Sequence, residues 1–190
     1  MAKIGICGAH GTGKSTLCHQ LLAHLKRQSW DIGLVPEVAR VCPFSLSIDQ
    51  SPDDMVRTLI WLMNAQQNAE IEAMSHHEHI ICDRTAIDRV AYSHVCATPS
   101  IYAAMVAWAA TWLKYSPYEC VLKTFANPSY LTSDRIRNTN AAFQATVDEA
   151  IARALHDLSV DHHALPEQEG DVYALSIVAG CLSRTSPGEP

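Results

Sequence analysis

Short, mainly apolar runs alternate with longer amphipathic stretches along most of the chain. Turn-forming or polar residues bound the short runs, which is typical of buried strands. We predict five strands, at residues 3–7, 32–35, 79–82, 119–124 and 158–161. The longer stretches repeat apolar residues near the 3.6-residue period of an α-helix. We predict helices at residues 16–28, 52–75, 86–96, 101–115, 141–156 and 171–181.

Strands and helices that alternate in this way predict a central, mostly parallel sheet with helices on both faces. The chain is therefore expected to be an α/β protein of three layers. No linker interrupts the pattern, so we expect a single domain over residues 1–184. Residues 185–190 are rich in proline, glycine and serine, and we expect this tail to be disordered.

Composition and charge narrow the classes of function. Of the 190 residues, 48% are apolar and 18% are charged, which predicts a globular protein. The 14 Lys and Arg residues against 20 Asp and Glu residues give a net charge of −6. This charge disfavours a nucleic-acid partner without excluding one, and it argues against binding to an anionic membrane surface.

Two further features bear on location. The apolar run at residues 101–113 is shorter than the roughly 20 residues that a membrane-spanning helix needs, so we interpret it as a buried helix. The seven cysteines include no C-x-x-C pair, which favours a reducing compartment. Because no signal peptide is visible before the first strand, we expect a cytoplasmic protein without a membrane partner.

A phosphate-binding motif follows the first predicted strand. Residues 8–15 read G-A-H-G-T-G-K-S and match the pattern G-x-x-x-x-G-K-[ST] in full. Strand, glycine-rich turn and helix in this order let backbone amides and a helix N-terminus converge on phosphate oxygens. The motif predicts the P-loop NTPase fold with bound ATP. The predicted nucleotide-binding residues are Gly8, His10, Gly11, Thr12, Gly13, Lys14, Ser15 and Thr16.

The side chains of this loop have different expected roles. Lys14 is expected to reach the β- and γ-phosphates and to act in catalysis, and Ser15 is expected to bind Mg²⁺. His10 is interpreted as a solvent-facing position with no part in catalysis. We take ATP as the donor, since no guanine-reading N-K-x-D motif occurs.

Acidic residues follow two other predicted strands, at the sheet edge where ligands of such folds bind. Asp83 follows the third strand and is predicted to hold Mg²⁺ together with Ser15. The alternative for Asp83 is an N-cap of the next helix. Glu37 follows the second strand and is predicted to orient the acceptor hydroxyl or to take up its proton. A surface residue paired with Arg40 is the alternative for Glu37.

Three arginines are predicted to neutralise charge on the transferring phosphoryl group: Arg84, Arg135 and Arg137. Planar guanidinium groups suit phosphate oxygens. The last two lie in a polar stretch, residues 127–140, that is predicted to form a short lid over the nucleotide. For each of the three, a solvated surface arginine is the alternative.

Three segments together resemble the P-loop kinases of nucleosides and nucleotides. They are residues 8–16, residues 36–40 (P-E-V-A-R), and residues 83–85 (D-R-T) with Asp88, Arg89 and Tyr92 following. Deoxynucleoside kinases carry a glutamate after the second strand that acts as a base toward the sugar hydroxyl, and Glu37 matches it. These kinases and the thymidylate kinases also carry an acid–arginine pair after the third strand, which Asp83-Arg84 resembles.

The resemblance extends over residues 3–160 and implies an ATP- and Mg²⁺-dependent kinase with an arginine-bearing lid. Residues 35–40 are also similar to an AAA-type ATPase/kinase domain related to nicotinamide riboside kinases. By resemblance, Asp88 and Arg89 contact the sugar of the acceptor. Deoxynucleoside kinases usually have Glu-Arg where this chain has Asp-Arg, so the resemblance does not identify the acceptor.

Three functions are compatible with these features. The leading hypothesis is a phosphotransferase that moves the γ-phosphoryl group of ATP to a nucleoside- or nucleotide-like acceptor. A kinase that acts on a hydroxyl of DNA, at a terminus or on a modified base such as a hydroxymethyl pyrimidine, is opposed by the net charge. A nucleotide-dependent regulatory ATPase that signals through a partner is the third. The oligomeric state stays open, a homodimer included.

Overall fold

Strands and helices alternate along the chain and fold into a sheet with helices on both faces. The computed structural model describes residues 1–126 and 140–185. Within them the strands are β1 (Ala2–Cys7), β2 (Ile32–Val35), β3 (His79–Asp83), β4 (Cys120–Lys123) and β5 (His163–Ala164). The helices there are α1 (Lys14–Arg27), α2 (Pro52–His76), α3 (Ala86–Cys96), α4 (Pro99–Tyr115), α5 (Ala141–Asp157) and α6 (Gly170–Thr185), with a short 3₁₀ helix at Val38–Val41.

The described strands form one sheet in the order β2-β3-β1-β4-β5, and every pairing is parallel. Parallel neighbours need crossover connections, because the chain must return to the same end of the sheet before the next strand starts. All strands therefore end at one edge, and the residues that follow Cys7, Val35, Asp83 and Lys123 meet there. This confirms the predicted α/β class with a parallel five-stranded sheet between helices.

Side chains of β1 enter two separate cores, because successive residues of a strand point to opposite faces. Ile4 and Ile6 pack with α1 and α6 in one core. Cys7 packs with residues of α2, α3, α4 and α5 in the other. Every residue of β1 is buried, as expected for a strand that is covered on both faces.

The prediction of a strand at residues 158–161 is wrong, and β5 lies at His163–Ala164 instead. The amide of Val160 donates to the carbonyl of Leu155 at 2.9 Å, and Ser159 between them has a left-handed backbone (φ 51°). This is a Schellman arrangement, in which a residue beyond the helix packs back on its last turn. The alternation of apolar and polar residues here belongs to the end of α5.

Helix α4 is less buried than predicted, since Met105 and Ala109 are its only buried residues. It packs mainly against α2 and α3: the indole of Trp108, for example, donates to Gln67 of α2 at 3.1 Å. One side of α4 therefore remains open to solvent. Among the described residues, no helix is long and apolar enough to cross a membrane.

The remaining predicted elements agree with the structure to within a few residues at each end. The predicted lid, apart from Asn140, lies outside the described residues, and so does the predicted tail, apart from Thr185.

Candidate functional site

Glycine determines the shape of the loop between β1 and α1. Gly11 (φ 68°) and Gly13 (φ 79°) have left-handed backbones, and Gly13 is the N-cap residue of α1. Gly8 has φ 149°, and a Cβ atom there would overlap Thr124 Oγ1. Other residues at these positions would be strained or would collide. The loop leads into the first turn of α1, where amides without helical partners favour an anion.

Lys14 is a buried cation, with 5% of the residue exposed. Its Nζ donates to the carbonyl of Ala9 and to Thr12 Oγ1 at 3.2 Å. Burial, followed by the nearby Arg84 guanidinium, lowers the pKa of Lys14 to about 7. A phosphate in the loop would counteract both effects, because an adjacent anion favours the protonated amine. Within the described residues, no carboxylate forms an ion pair with Lys14.

The structure brings Ser15 and Asp83 together, although 68 residues separate them in the chain. Ser15 Oγ donates to Asp83 Oδ2 at 2.5 Å. Asp83 Oδ1 is buried and has no hydrogen-bond partner in the part of the chain that the structure describes. A carboxylate oxygen without a partner beside a hydroxyl oxygen is a donor set that suits Mg²⁺, which prefers oxygen ligands. These two residues therefore fit the predicted metal site.

The alternative interpretation of Asp83 as a helix cap is wrong. Thr85 is the N-cap residue of α3, and its hydroxyl accepts from the amide of Asp88. Asp88 completes a capping box, since its Oδ2 accepts from the Thr85 amide at 2.9 Å. Because Thr85 and Asp88 cap α3, the Asp83 carboxylate is available to bind a metal ion.

Glu37 lies two residues after β2, with 10% of its side chain exposed, and is not a surface residue. It forms ion pairs with Arg84 Nε at 2.5 Å and with Arg40 Nε at 3.3 Å. Burial raises the pKa of Glu37, but the charge and hydrogen bond of Arg84 outweigh it and lower the pKa to about 2. The carboxylate is therefore ionised throughout the physiological pH range.

Arg84 connects the residues around it. It pairs with Glu37, and its Nη1 donates to Asp88 Oδ1 at 3.2 Å and to the Gly8 carbonyl at 3.3 Å. Its backbone is left-handed (φ 82°), a conformation that is rare for residues other than glycine and that clusters at functional sites. The amide of Arg84 donates to Ile6 of β1 at 3.1 Å, which holds this conformation in place.

Two adjoining cavities open at this sheet edge. The first, which we call the loop pocket, has a volume of about 60 Å³ and is lined by residues 11–16 with Glu37, Asp83 and Arg84. The second, which we call the side cavity, has a volume of about 750 Å³ and lies against α2, α3, α5, Cys42 and residues 44–50. Glu37 and Arg84 line both cavities. They therefore form a shared wall between the predicted phosphate site and a space of ligand size.

His10 is buried, which corrects the expectation that it faces solvent. Only 4% of the residue is exposed, and its ring centroid lies 5.5 Å from that of Phe143 in α5. Tyr92 Oη lies 3.4 Å from His10 Nδ1. His10 also lines the side cavity, so one residue of the phosphate loop forms part of the wall of that cavity.

The contact of Asp88 with an acceptor sugar, which the resemblance implies, does not fit the structure. Asp88 is fully buried and its oxygens accept from Arg84, from Thr85 and from the Gly8 amide at 3.2 Å. Arg89, by contrast, lines the side cavity. The two adjacent residues therefore differ in role: Asp88 holds the phosphate loop in place, whereas Arg89 lines the side cavity.

Arg135 and Arg137 lie outside the described residues. Asn140 is described, and its side chain caps α5 by accepting from the amides of Ala142 and Phe143. Gln144 of the same helix donates to the carbonyl of His10 at 2.8 Å. The helix that follows the predicted lid is thus bonded directly to the phosphate loop.

Three polar residues of the site were missed by sequence reasoning. Thr124 follows β4 and lies 2.7 Å from Thr12 of the loop, oxygen to oxygen. The search for polar residues after each strand, applied to β4, would have found it. Gln66 lies in the middle of α2 and Gln144 in the first turn of α5, and neither follows a strand.

Comparison with known proteins agrees with this geometry. A family model described as an AAA domain matches residues 3–172. A comparison with curated proteins gave no match. Among solved structures, NadR protein in complex with NAD and AMP-PNP superposes with a TM-score of 0.71 at 14% identity, covering 100% of this chain and 51% of that one. NadR protein in complex with NR gives a TM-score of 0.71 at 15% identity, covering 96% and 52%.

Deoxyadenosine kinase from M. mycoides, with the products dCMP and a flexible dCDP bound, is a further similar structure. Its TM-score is 0.62 at 16% identity, and the match covers 96% of this chain and 99% of the kinase. This chain spans about half the length of the two NadR structures. The matches confirm the predicted P-loop NTPase fold and the resemblance to the nucleoside and nucleotide kinase group.

Proposed function

Since the chain belongs to the AAA domain family, we propose that it is an ATP- and Mg²⁺-dependent phosphotransferase with a nucleoside- or nucleotide-like acceptor. One observation carries this proposal: Glu37 and Arg84 line both the loop pocket and the side cavity. Transfer between two bound molecules requires their reacting ends to meet with little water between them. The shared wall is the place where they meet.

The loop pocket takes the donor. Lys14 and the loop amides bind the β- and γ-phosphates, and the N-terminus of α1 adds a favourable dipole. Ser15 and Asp83 hold Mg²⁺, which supplies charge neutralisation between the donor phosphates. In support, the similar NadR structure contains AMP-PNP, a nonhydrolysable relative of ATP.

The shared wall acts on the acceptor. Glu37 accepts a hydrogen bond from the acceptor hydroxyl and orients its oxygen toward the γ-phosphorus. Because the pKa of Glu37 is about 2, the carboxylate is a weak base and takes up the proton only late in the transfer. Arg84 stabilises charge on the equatorial oxygens of the transferring group, and we assign the same role to Arg135 and Arg137.

The proposal includes a compartment. Seven cysteines are present, and all of them are free thiols. Six lie in strands and helices of the cores, where cysteine acts as a small apolar residue, and Cys42 lines the side cavity. This usage is typical of a reducing compartment and supports a cytoplasmic protein.

The decisive experiment replaces Lys14 by alanine and measures phosphoryl transfer from radiolabelled ATP to a panel of nucleosides, nucleoside monophosphates and oligonucleotides. We expect transfer to be abolished while circular dichroism shows a folded chain. Lys26→Ala, an exposed lysine of the same helix, is the matched control and keeps full activity. Arg135→Ala and Arg137→Ala in the same assay test the proposed charge clamp.

The outcome also separates the alternatives. Transfer that survives in the Lys14→Ala variant contradicts the assignment of the loop. Labelled oligonucleotide without labelled small molecules identifies a DNA kinase. Release of inorganic phosphate from ATP with no labelled acceptor in the whole panel identifies a regulatory ATPase.

A further inference from the structure

Arg89 of α3 is buried in the wall of the side cavity, with 3% of the residue exposed. Its Nη2 donates to Gln66 Oε1 at 3.2 Å. Its Nε has no hydrogen-bond partner among residues 1–126 and 140–185. A buried donor without a partner is unfavourable, because it has lost its hydrogen bonds to water. The guanidinium therefore has an unused donor, and the residue that carries it lines the side cavity.

The charge of Arg89 is compensated less well than that of its neighbour Arg84. Arg84 forms ion pairs with Glu37 and Asp88. Within the described part of the chain, no carboxylate forms an ion pair with Arg89. Burial, followed by the positive charge of Arg84, lowers the pKa of Arg89. A buried charge is normally paired, so the cavity wall carries a cation without an ion-pair partner among the described residues, although Asp88 and Glu37 lie near enough to favour its charged form.

The partner that holds Arg89 is itself held in place. Gln66 Nε2 donates to Glu70 Oε1 at 2.9 Å and to the Arg84 carbonyl at 3.1 Å. Glu70 also forms a buried ion pair with Lys3 at 2.8 Å. Both ends of the Gln66 amide are therefore in use, and its oxygen is fixed toward Arg89. The arginine is built into a rigid network, as binding residues usually are.

The space in front of Arg89 suits a nucleotide in size and character. The side cavity has a volume of about 750 Å³, within the usual range of about 300–1,000 Å³ for small-molecule sites. The rings of Phe44, Tyr92 and Phe143 line it. Aromatic rings offer flat apolar faces on which a base can stack.

We propose that Arg89 binds a phosphate group carried by the acceptor, and that the acceptor is therefore a nucleoside monophosphate and not a neutral nucleoside. The inference rests on the proposed phosphotransferase function and narrows its acceptor class. A phosphate oxygen accepts a hydrogen bond from the Arg89 guanidinium and supplies a negative charge beside it. The donor phosphates occupy the loop pocket, across the wall of Glu37 and Arg84, so this phosphate is a separate one. It anchors the acceptor, and the hydroxyl beside Glu37 remains the group that receives the γ-phosphoryl.

The test measures binding of the eight common ribo- and deoxyribonucleoside monophosphates, and of the matching nucleosides, by calorimetry in the presence of AMP-PNP and Mg²⁺. We expect at least one monophosphate to bind about 10- to 100-fold more tightly than its nucleoside, the effect of one hydrogen bond between charged groups. Inorganic phosphate is expected to compete with that monophosphate. Equal binding of nucleosides and monophosphates across the panel would overturn the proposal.

Variants connect this preference to Arg89. Arg89→Gln is expected to bind the monophosphate and its nucleoside equally, and Arg89→Lys is expected to keep part of the preference. Arg27→Gln, an exposed arginine at the end of α1, is the matched control and keeps all of it. A preference that persists undiminished in a folded Arg89→Gln variant contradicts the assignment. If that variant does not fold, competition by inorganic phosphate in the unmodified protein decides: competition supports the proposal and its absence overturns it.

Failure of this inference differs from failure of the proposed function. If AMP-PNP does not bind, or no small molecule is phosphorylated, the proposed function fails. If AMP-PNP binds and a neutral nucleoside is phosphorylated as readily as its monophosphate, only the role of Arg89 fails.

Discussion

The loop pocket and the side cavity lie on either side of one wall, and they differ in how the chain builds them. Six consecutive residues, 11–16, supply most of the loop pocket. The side cavity, by contrast, is lined by residues that range from His10 to Phe143. The loop pocket is built largely from backbone and small polar side chains, whereas aromatic and apolar side chains line much of the cavity.

This difference indicates a division of labour. A triphosphate presents the same oxygens whatever its base, so backbone amides on a short glycine-rich loop suffice to bind it. An acceptor must be distinguished from similar molecules, which requires side chains of particular shape and charge around it. We therefore expect substitutions in the loop pocket to have large effects on the reaction, and substitutions around the cavity to have smaller and more selective ones.

After the complete loss of transfer expected for Lys14→Ala, the largest expected effect is that of Asp83→Asn in the loop pocket. The substitution removes the negative charge beside Ser15 and weakens Mg²⁺ binding, which contributes several kcal/mol to such reactions. We expect kcat/KM to fall about 10³-fold, with the Mg²⁺ requirement moved to higher concentration in a titration. Asp161→Asn, an exposed carboxylate, is the control. An unchanged Mg²⁺ titration would contradict the assignment of Mg²⁺ to Asp83, and with it the assignment of the loop pocket to the donor.

The next effect concerns Glu37, in the wall itself. Its pKa is about 2 in the folded chain against an ordinary 4.5, so the ionised side chain favours folding above pH 4.5 and loses this contribution as the pH falls through 2. The difference corresponds to about 3 kcal/mol. We expect Glu37→Gln to be less stable at pH 7 and to show a flatter decline in the free energy of unfolding between pH 4.5 and 2.

Urea titrations at several pH values measure this decline, and the exposed ion-pair residue Asp54, replaced by asparagine, serves as the control. Parallel pH curves for the Glu37→Gln variant and the unmodified protein would mean that Arg84 does not depend on Glu37 for its charge balance.

The smallest effect is expected for Gln144→Ala, which removes the bond between α5 and the carbonyl of His10. One neutral hydrogen bond contributes about 1 kcal/mol, so we expect an approximately fivefold rise in the KM for ATP and little change in kcat. Thr146→Ala, on the exposed side of α5, is the control. A loss of activity as large as that of Asp83→Asn would mean that the loop depends on α5 far more than its own glycines indicate.

The sequence alone determined the features that depend on neighbouring residues. The 3.6-residue period and the apolar runs located every described α-helix and every described strand except β5, and the spacing of Gly8, Gly13, Lys14 and Ser15 identified the phosphate loop. These signals are local, because backbone geometry and helix periodicity are properties of short segments. The same logic failed at residues 158–161, where a helix end produced the alternation expected of a strand.

The tertiary structure decided what depends on distant residues. Ser15 meets Asp83, and Glu37 meets Arg84, only because the strand order β2-β3-β1 places three strand ends side by side. The left-handed backbone of Arg84 and the incomplete pairing of Arg89 have no signature in the chain. Such features result from which side chains the packed fold brings together, and packing depends on contacts across the whole domain.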